Sequence, residues 1–197
     1  MATGMEYAVQ AKKDKYDKIT YDQYDCQAFC ELVLRDLGVR KPEGSIYNWK
    51  GSNDMYRHAV SWIGTVDECR RTFGEIPVGA WAFMWDTTGN EKKRGYYDGL
   101  GNASHIGIYI GNDQVRDSTK IKNASGKVTR DGVGTRPLKQ FQKIGLPAML
   151  DFGCTNHTIG IEVDRTNLSN LYTFLSAAVE MLKGWLENEN RGDSGTA

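Results

Sequence analysis

The order of hydrophobic and polar positions predicts helices in the first third of the chain. The clearest helix covers 26–37, where apolar side chains recur three or four residues apart: Phe29, Leu32, Val33 and Leu37. Asp25 precedes this segment as a favourable N-cap, and Gly38 follows it as a favourable C-terminal stop. The same criteria predict three shorter helices, at 5–14, 53–63 and 66–73.

After residue 76 the apolar positions alternate with polar ones, which is typical of strands. Strands are predicted at 76–85, 105–111, 114–120 and 148–153, with turns over 122–134 and a short helix over 137–144. The residues 111–113 predict a three-residue hairpin loop between the second and third of these strands. Helices followed by antiparallel strands indicate an α+β fold, with N-terminal helices packed on a central antiparallel sheet.

The C-terminal part of the chain has a separate pattern. A long amphipathic helix is predicted over 168–186, whose apolar stripe could pack on the rest of the chain, link to a partner or pair with a second copy. The polar residues 191–197 predict a disordered tail. The sequence therefore indicates a domain over 1–155, an extension over 156–190 and the tail.

Composition narrows the classes of function. The 25 basic and 25 acidic residues balance, so the chain lacks the charge excess of a general nucleic-acid or membrane-surface binder. It has no apolar run of about 18 residues and no apolar signal-peptide core near its start, so we expect neither a membrane span nor a cleaved signal. The four cysteines are too sparse for a disulfide scaffold and lack the paired spacing of a zinc knuckle. No metal or cofactor is predicted.

Cys26 is the first candidate for chemistry because it stands at the start of the best predicted helix. The unpaired N–H groups and the dipole of a helix N-terminus favour a thiolate, which is the nucleophilic form of cysteine. Cys30 lies one turn inside the same helix and gains little from the dipole, so we interpret it as a core residue. The competing interpretation of Cys26 is that it too is a small buried hydrophobe.

His105 is the second candidate, at the start of an apolar strand. Alternation puts His105, Gly107 and Tyr109 on one face of the strand and three isoleucines on the other. A glycine in a strand often leaves room for another group to approach. A histidine on such a face can take the proton of a cysteine thiol, provided that both side chains are held in place.

Asp117 is the candidate for the group that orients His105. With a three-residue loop at 111–113, Gly107 opposes Asp117, and Asp117 then shares the face of His105 and lies diagonally across from it. A two-residue loop would shift the register by one residue and put Ser118 on that face instead. A solvated hairpin aspartate is the alternative interpretation, and spacing alone does not separate the two.

Three segments together resemble the NlpC/P60 family of papain-like cysteine peptidases. They are YDCQAFCELV around Cys26, PVGAWAFMW at the first predicted strand, and HIGIYIGNDQVRDS from His105 onward. Three further segments resemble the phage and prophage members of the family more specifically, namely GSNDMYRHAVSW, GNASHIGIYIG and IGLPAMLDFG. The resemblance covers residues 15–153 and implies the papain-like fold of that family. It also implies that Cys26 is the nucleophile and His105 the general base.

The resemblance also places residues that depart from the family. Asp117 falls where the family commonly has a histidine, and Gln27 and Ala28 stand where it commonly has serine and glycine. The family has a tyrosine near the oxyanion, some ten residues before the nucleophile. Tyr16 is the nearest match in spacing, and Tyr21 is the alternative if the intervening loop is shortened.

The function implied by the resemblance is hydrolysis of amide bonds in the stem peptides of bacterial peptidoglycan, as in a phage or prophage lysin. Such a protein would be made in the cytoplasm without a signal peptide and would act at the cell wall after release or as part of a virion. An N-acetylmuramoyl-L-alanine amidase or an acyltransferase on the same fold is the first alternative. A catalytically weak wall-binding or virion protein is the second, and the departure at Asp117 is its main support.

Overall fold

The structure is a computed structural model that describes residues 1–87, 96 and 101–153. Its four α-helices are α1 (Gly4–Ala11), α2 (Cys26–Asp36), α3 (Ser52–His58) and α4 (Val66–Phe73). Its six strands are β1 (Val60–Thr65), β2 (Trp81–Asp86), β3 (Asn102–Gly111), β4 (Gln114–Lys122), β5 (Val128–Pro137) and β6 (Lys143–Pro147). Two short 3₁₀ turns complete the described elements, at Asp14–Lys18 and Leu138–Gln140. The predicted helix over 168–186, the tail and the boundaries at 155 and 190 lie outside the described residues.

The six strands form one antiparallel sheet in the order β1-β6-β2-β3-β4-β5. Helices and an antiparallel sheet in one fold confirm the predicted α+β class. In the part of the chain that the structure describes, no helix has the length and apolar character needed to cross a bilayer.

Helix α2 forms as its sequence predicts. The Asp25 side chain accepts a hydrogen bond from the Ala28 N–H at 2.9 Å, and Gly38 takes the left-handed φ of 82° that ends the helix. Its apolar stripe is buried and packs in the same core cluster as alternate residues of β3, among them Ile106 and Ile108. This packing places the first turn of α2, and therefore Cys26, against the central part of the sheet.

Helix α4 also has the predicted limits. Thr65 accepts a hydrogen bond from the Glu68 N–H, and the Glu68 carboxylate accepts one from the Thr65 N–H, which is a reciprocal capping box. The helix predicted over 53–63 is wrong in its second half, because α3 ends at His58 and the chain continues as β1. Strand β1 pairs with β6, some eighty residues away in sequence, and a contact over that distance leaves no local signal.

Three further predictions in the last third of the described chain are wrong. The helix predicted over 137–144 is reduced to the 3₁₀ turn at Leu138–Gln140, and β6 begins at Lys143. The stretch 122–134 was predicted as turns, but most of it belongs to β5, which pairs with β4 along its whole length. The last strand was predicted at 148–153, whereas β6 occupies 143–147 and the following residues turn. Glycines in β5 lower its strand propensity, and only the pairing with β4 overcomes this.

Candidate active site

Cys26 is the first residue of α2 and is partly exposed. Its own N–H lies in the first turn, where no carbonyl of the same helix can accept it. The N–H of Ala28 is already taken by Asp25, so the donors nearest the thiol remain those of Cys26 and its neighbour Gln27. A negative charge on the thiol, or on an oxygen beside it, therefore lies at the positive end of the helix dipole.

His105 lies in β3 beside a β-bulge. Met84 pairs with His105 and Trp85 pairs with Ala103, so Ser104 is an extra residue in β3. Because of the extra residue, Ala103 and Ile106 both enter the core although they are an odd number of positions apart. Bulges next to functional sites commonly redirect a side chain in this way. The alternation expected from the sequence therefore holds only after the bulge, and His105 is the first residue beyond it.

The imidazole of His105 joins two other candidate residues. Its Nε2 donates to Asp117 Oδ2 at 2.6 Å, and Cys26 also acts on the imidazole, because it is among the groups that raise the pKa of His105. Since Nε2 is used by Asp117, Nδ1 is the imidazole nitrogen left for Cys26. The imidazole thus connects the thiol at the helix start with the carboxylate on the neighbouring strand.

The surroundings of His105 favour its protonated form. Burial by itself lowers the pKa of the imidazole, but the hydrogen bonds to Asp117 and Cys26 outweigh burial and raise the pKa from 6.5 to about 9. At neutral pH the imidazole is therefore mainly an imidazolium. An imidazolium beside a cysteine is the partner that cysteine nucleophiles commonly use.

The hairpin between β3 and β4 sets the register that brings Asp117 to His105. Its loop has two residues, Asn112 and Asp113, both with φ of 52°, so the predicted three-residue loop is wrong. A bulge between Tyr109 and Gly111 compensates, and Ile108 pairs with Arg116 as the longer loop would have required. Asp117 therefore shares the face of His105, as predicted.

Residues next to Asp117 show the same register. A Cβ added to Gly107 would lie 2.5 Å from Val115 Cγ1 and 2.9 Å from both the Arg116 carbonyl oxygen and Asp117 Cβ, so the close approach of β4 requires a glycine there. Ser118 faces the other side of the sheet and donates to the Tyr24 carbonyl at 2.6 Å. The solvated-aspartate interpretation of Asp117 is wrong, because the residue is 0% exposed.

Two arginines from β5 complete the surroundings of the Asp117 carboxylate. Arg130 Nη2 donates to Oδ1 at 2.6 Å and to the Asp117 carbonyl at 2.7 Å. Arg136 Nη1 donates to Oδ2 at 3.1 Å, the same oxygen that accepts from His105. Burial favours the neutral carboxyl, but His105 and Arg130 outweigh it and lower the pKa of Asp117. The carboxylate is therefore a buried anion held by three cationic groups.

Strand pairing explains why both arginines reach one carboxylate. Asp117 pairs with Gly134, so alternate residues of β5 on either side of this glycine, including Arg130 and Arg136, share the face of Asp117. A Cβ on Gly134 would lie 2.7 Å from Arg130 Nε, so the missing side chain provides the space in which the guanidinium lies. Neither arginine was predicted as a site residue, because turns were expected over most of β5. The alternation Arg130-x-Gly-x-Gly-x-Arg136 was the available signal.

The two candidate tyrosines lie in different surroundings. Tyr16 is buried, its hydroxyl accepts from Gln10 and donates to Asp36, and its ring packs edge-on against Phe29. Asp36 is the last residue of α2, roughly 15 Å along the helix from Cys26 at 1.5 Å per residue. The Tyr16 hydroxyl is therefore not brought to the thiol.

Tyr21, in contrast, lines the same cleft as Cys26. Its backbone N–H donates to Asp131 of β5, which anchors the segment before α2 to the sheet. Burial raises the pKa of Tyr21, and the charges of Cys26 and Asp25 raise it further. The phenol therefore stays protonated and can donate a hydrogen bond within the cleft.

The cleft beside Cys26 has a volume of about 360 Å³. Its walls come from the first turn of α2, the start of α3 and the beginning of β3, and include Gln27, Ser52, Asn102 and Ser104. Gln27 donates to Glu31 at 2.8 Å and to the Trp49 carbonyl, while Glu31 accepts from the Trp49 N–H at 2.7 Å. These bonds hold the loop before α3 against α2, so one wall of the cleft is fixed to the helix that carries the thiol.

The described residues contain no cluster of three or more histidine, cysteine or acidic side chains able to hold a metal ion. The chemistry that the described arrangement supports is nucleophilic catalysis by a thiolate with an imidazolium partner.

No model of a protein family matches the chain, and no curated protein matches it in sequence.

Proposed function

We propose that this chain is a cysteine hydrolase that cleaves amide bonds in the stem peptides of bacterial peptidoglycan, as a phage or prophage lysin of the NlpC/P60 type with a papain-like fold. The observation that carries the chemistry is the arrangement of Cys26 at a helix N-terminus, His105, whose pKa Cys26 helps to raise, and the buried Asp117 that accepts from His105. The choice of substrate rests on the resemblance of the segments around Cys26 and His105 to that family.

Acylation begins with attack by Cys26 Sγ on the carbonyl carbon of the scissile amide. The carbonyl oxygen becomes an oxyanion, and the N–H of Cys26 is the natural donor to it at the helix start. The Tyr21 hydroxyl is a second donor from the wall of the cleft. The bond from carbon to nitrogen then breaks, and the imidazolium of His105 gives its Nδ1 proton to the leaving amine. The product is a thioester on Cys26.

Deacylation reverses the role of the imidazole. Neutral His105 takes a proton from a water molecule, whose oxygen attacks the thioester carbon. The bond from carbon to sulfur breaks, which regenerates the thiolate and the imidazolium and releases the carboxylic acid. Through both steps Asp117 holds Nε2, so Nδ1 keeps facing the sulfur and the substrate.

The test is digestion of purified bacterial cell walls by the wild type and by Cys26→Ala, followed by mass analysis of the released fragments. We expect the wild type to release stem-peptide fragments cut between D-glutamate and the next diamino acid, and Cys26→Ala to release none. Cys30→Ala is the matched control, because Cys30 lies in the same helix but is fully buried. The Cys30→Ala variant should be less stable than the wild type but should still cleave the walls.

Other fragment patterns contradict the proposal in distinguishable ways. Fragments that begin with a free L-alanine amine, from cleavage at the lactyl bond, would make the chain an amidase with the same catalytic residues. Equal cleavage by Cys26→Ala would exclude the thiol mechanism. No fragment from any wall preparation, with Cys26 still reactive toward iodoacetamide, would exclude peptidoglycan as the substrate.

A further inference from the structure

Arg130 and Arg136 have no part in the steps above, although both are largely buried beside the site. Arg136 and His105 bond the same carboxylate oxygen, Asp117 Oδ2, at 3.1 Å and 2.6 Å. The two cationic groups therefore lie less than about 6 Å apart, a distance at which like charges change each other's protonation. Arg130 holds the other oxygen at 2.6 Å.

Both arginines are oriented by further contacts. Arg136 also donates to Gln140 Oε1, and its guanidinium lies 5.4 Å from the centre of the Phe141 ring. Arg130 bonds the carbonyl of Asp117 as well as its side chain, and its Nε is buried without a hydrogen-bond partner among the described residues. A buried donor left unpaired in this way costs stability. Such a cost is the kind of strain that persists where a group has a role in the site.

The charges around His105 explain what that role is. The charged groups that act on the imidazole in the described structure are Cys26 from α2, Asp117 from β4 and, behind Asp117, the two arginines of β5. Strand β2 contributes only Met84 at the paired position, and the Phe141 ring lies 6.1 Å away. A buried aspartate with no other partner would direct its whole charge at His105 and hold the Nε2 proton too firmly.

We infer that Arg130 and Arg136 are positioning residues that share the charge of Asp117, so that the His105 imidazolium remains acidic enough to give its proton to a leaving amine. This inference rests on the proposed function for its consequence in turnover, whereas the charge sharing itself is independent of any substrate. The arginines touch Asp117 and not the reacting atoms, so they act through the carboxylate.

The test is a titration of the His105 imidazole by NMR in the full-length chain, for the wild type, Arg136→Gln and Arg130→Gln. His105→Gln assigns the signal, since the chain has only 3 histidines. We expect each arginine variant to raise the pKa of His105 on the order of one pH unit, because a like charge is removed while Asp117 remains. The basic limb of wall hydrolysis should move to higher pH by the same amount.

Arg116→Gln is the matched control. Arg116 is the neighbour of Asp117 in β4, its side chain is 11% exposed, and it pairs with Asp17 and the Ala11 carbonyl on the opposite face of the sheet. The Arg116→Gln variant should be less stable than the wild type, and the pKa of its His105 should be unchanged. Arg136→Lys, which keeps the charge, should restore most of the wild-type titration.

The outcomes separate the inference from the proposed function. An unchanged or lowered pKa of His105 in a folded Arg136→Gln, or an equal rise in Arg116→Gln, overturns the inference even if the chain hydrolyses walls. A raised pKa without wall hydrolysis by the wild type overturns the proposed function and supports the charge sharing. Should Arg136→Gln fail to fold, Arg130→Gln against Arg130→Lys makes the same comparison.

Discussion

Asp117→Asn removes one negative charge from the site and leaves the shape of the side chain almost unchanged. The asparagine oxygen can still accept from His105 Nε2, but its NH₂ group must then face a guanidinium that needs an acceptor. Arg130 and Arg136 also keep their charges, which are no longer balanced. Both effects disfavour the imidazolium, so the thiolate on Cys26 loses its partner.

The magnitude follows from the protonation of His105. Its pKa of about 9 compares with an ordinary value of 6.5, a difference of about 3 kcal/mol, or about 300-fold in the balance between imidazolium and imidazole. The hydrogen bond to Cys26 supplies part of this difference. We therefore expect Asp117→Asn to lower kcat on the order of 10- to 300-fold and the pKa of His105 to 7 or below.

Two measurements test this expectation, the rate of wall hydrolysis and the NMR titration of His105. Thermal melting must accompany them, because a buried carboxylate with three cationic partners also supports the fold. Ser118→Ala is the control on the adjacent position. It removes the hydrogen bond to the Tyr24 carbonyl and should cost about 1 kcal/mol of stability with little change in kcat. If Asp117→Asn stays within twofold of wild type, or if Ser118→Ala is the more damaging change for kcat, Asp117 does not orient His105.

Four other expectations follow from the same contacts. Because the folded-state pKa of His105 is raised from 6.5 to about 9, its contribution to stability is complete below pH 6.5 and is lost as pH rises through 9. The free energy of unfolding in urea should therefore fall by up to about 3 kcal/mol over this pH range, and His105→Gln should abolish the fall. Tyr21→Phe should lower kcat with little change in melting temperature, and Tyr16→Phe should do the reverse; equal effects on kcat would remove Tyr21 from the oxyanion site. Gly107→Ala should cost about 1–3 kcal/mol by calorimetry, since its Cβ would lie 2.9 Å from Asp117 Cβ; an unchanged melting temperature would contradict the close approach. Asp117→His should lower wall hydrolysis at least as much as Asp117→Asn, and activity near the wild-type level would show that the arginines do not depend on a carboxylate.

Elements with local signals were predicted from sequence with nearly correct limits. Helix α2 has its N-cap, its apolar stripe and its terminal glycine within one short segment, and α4 has a capping box at its first turn. These signals act between residues at most a few positions apart, so the sequence alone contains them. Cys26 at a helix N-terminus follows directly from the same segment.

Elements that depend on distant pairing were missed. Strand β1 was interpreted as the end of a helix because nothing in Val60–Thr65 indicates that its partner is β6. Strand β5 was interpreted as turns because Gly132 and Gly134 lower its strand propensity, although Gly134 is needed opposite Asp117 to leave space for Arg130. The glycines that hid the strand are thus part of the site.

The face of Asp117 was predicted correctly from an incorrect loop. Two residues form the turn, which by itself would have brought Ser118 to the face of His105. The bulge at Tyr109 and Gly111 adds the missing residue to β3 and restores the register. The position of a bulge depends on the fit of the whole hairpin and is not visible in the local sequence. The predicted face of Asp117 was therefore correct only because the shorter loop and the bulge compensate for each other.

Asp117 and the two arginines form one unit, and this changes what the departure from the resembling family means. Burial opposes the negative charge of a carboxylate that is 0% exposed. Three cationic partners overcome that opposition, and they also prevent the carboxylate from holding the His105 proton too strongly. A histidine at the same position would face two guanidinium groups that need an acceptor and would itself be held neutral. The aspartate at this position is therefore accompanied by Arg130 and Arg136, which supply the positive charge that favours a buried carboxylate there.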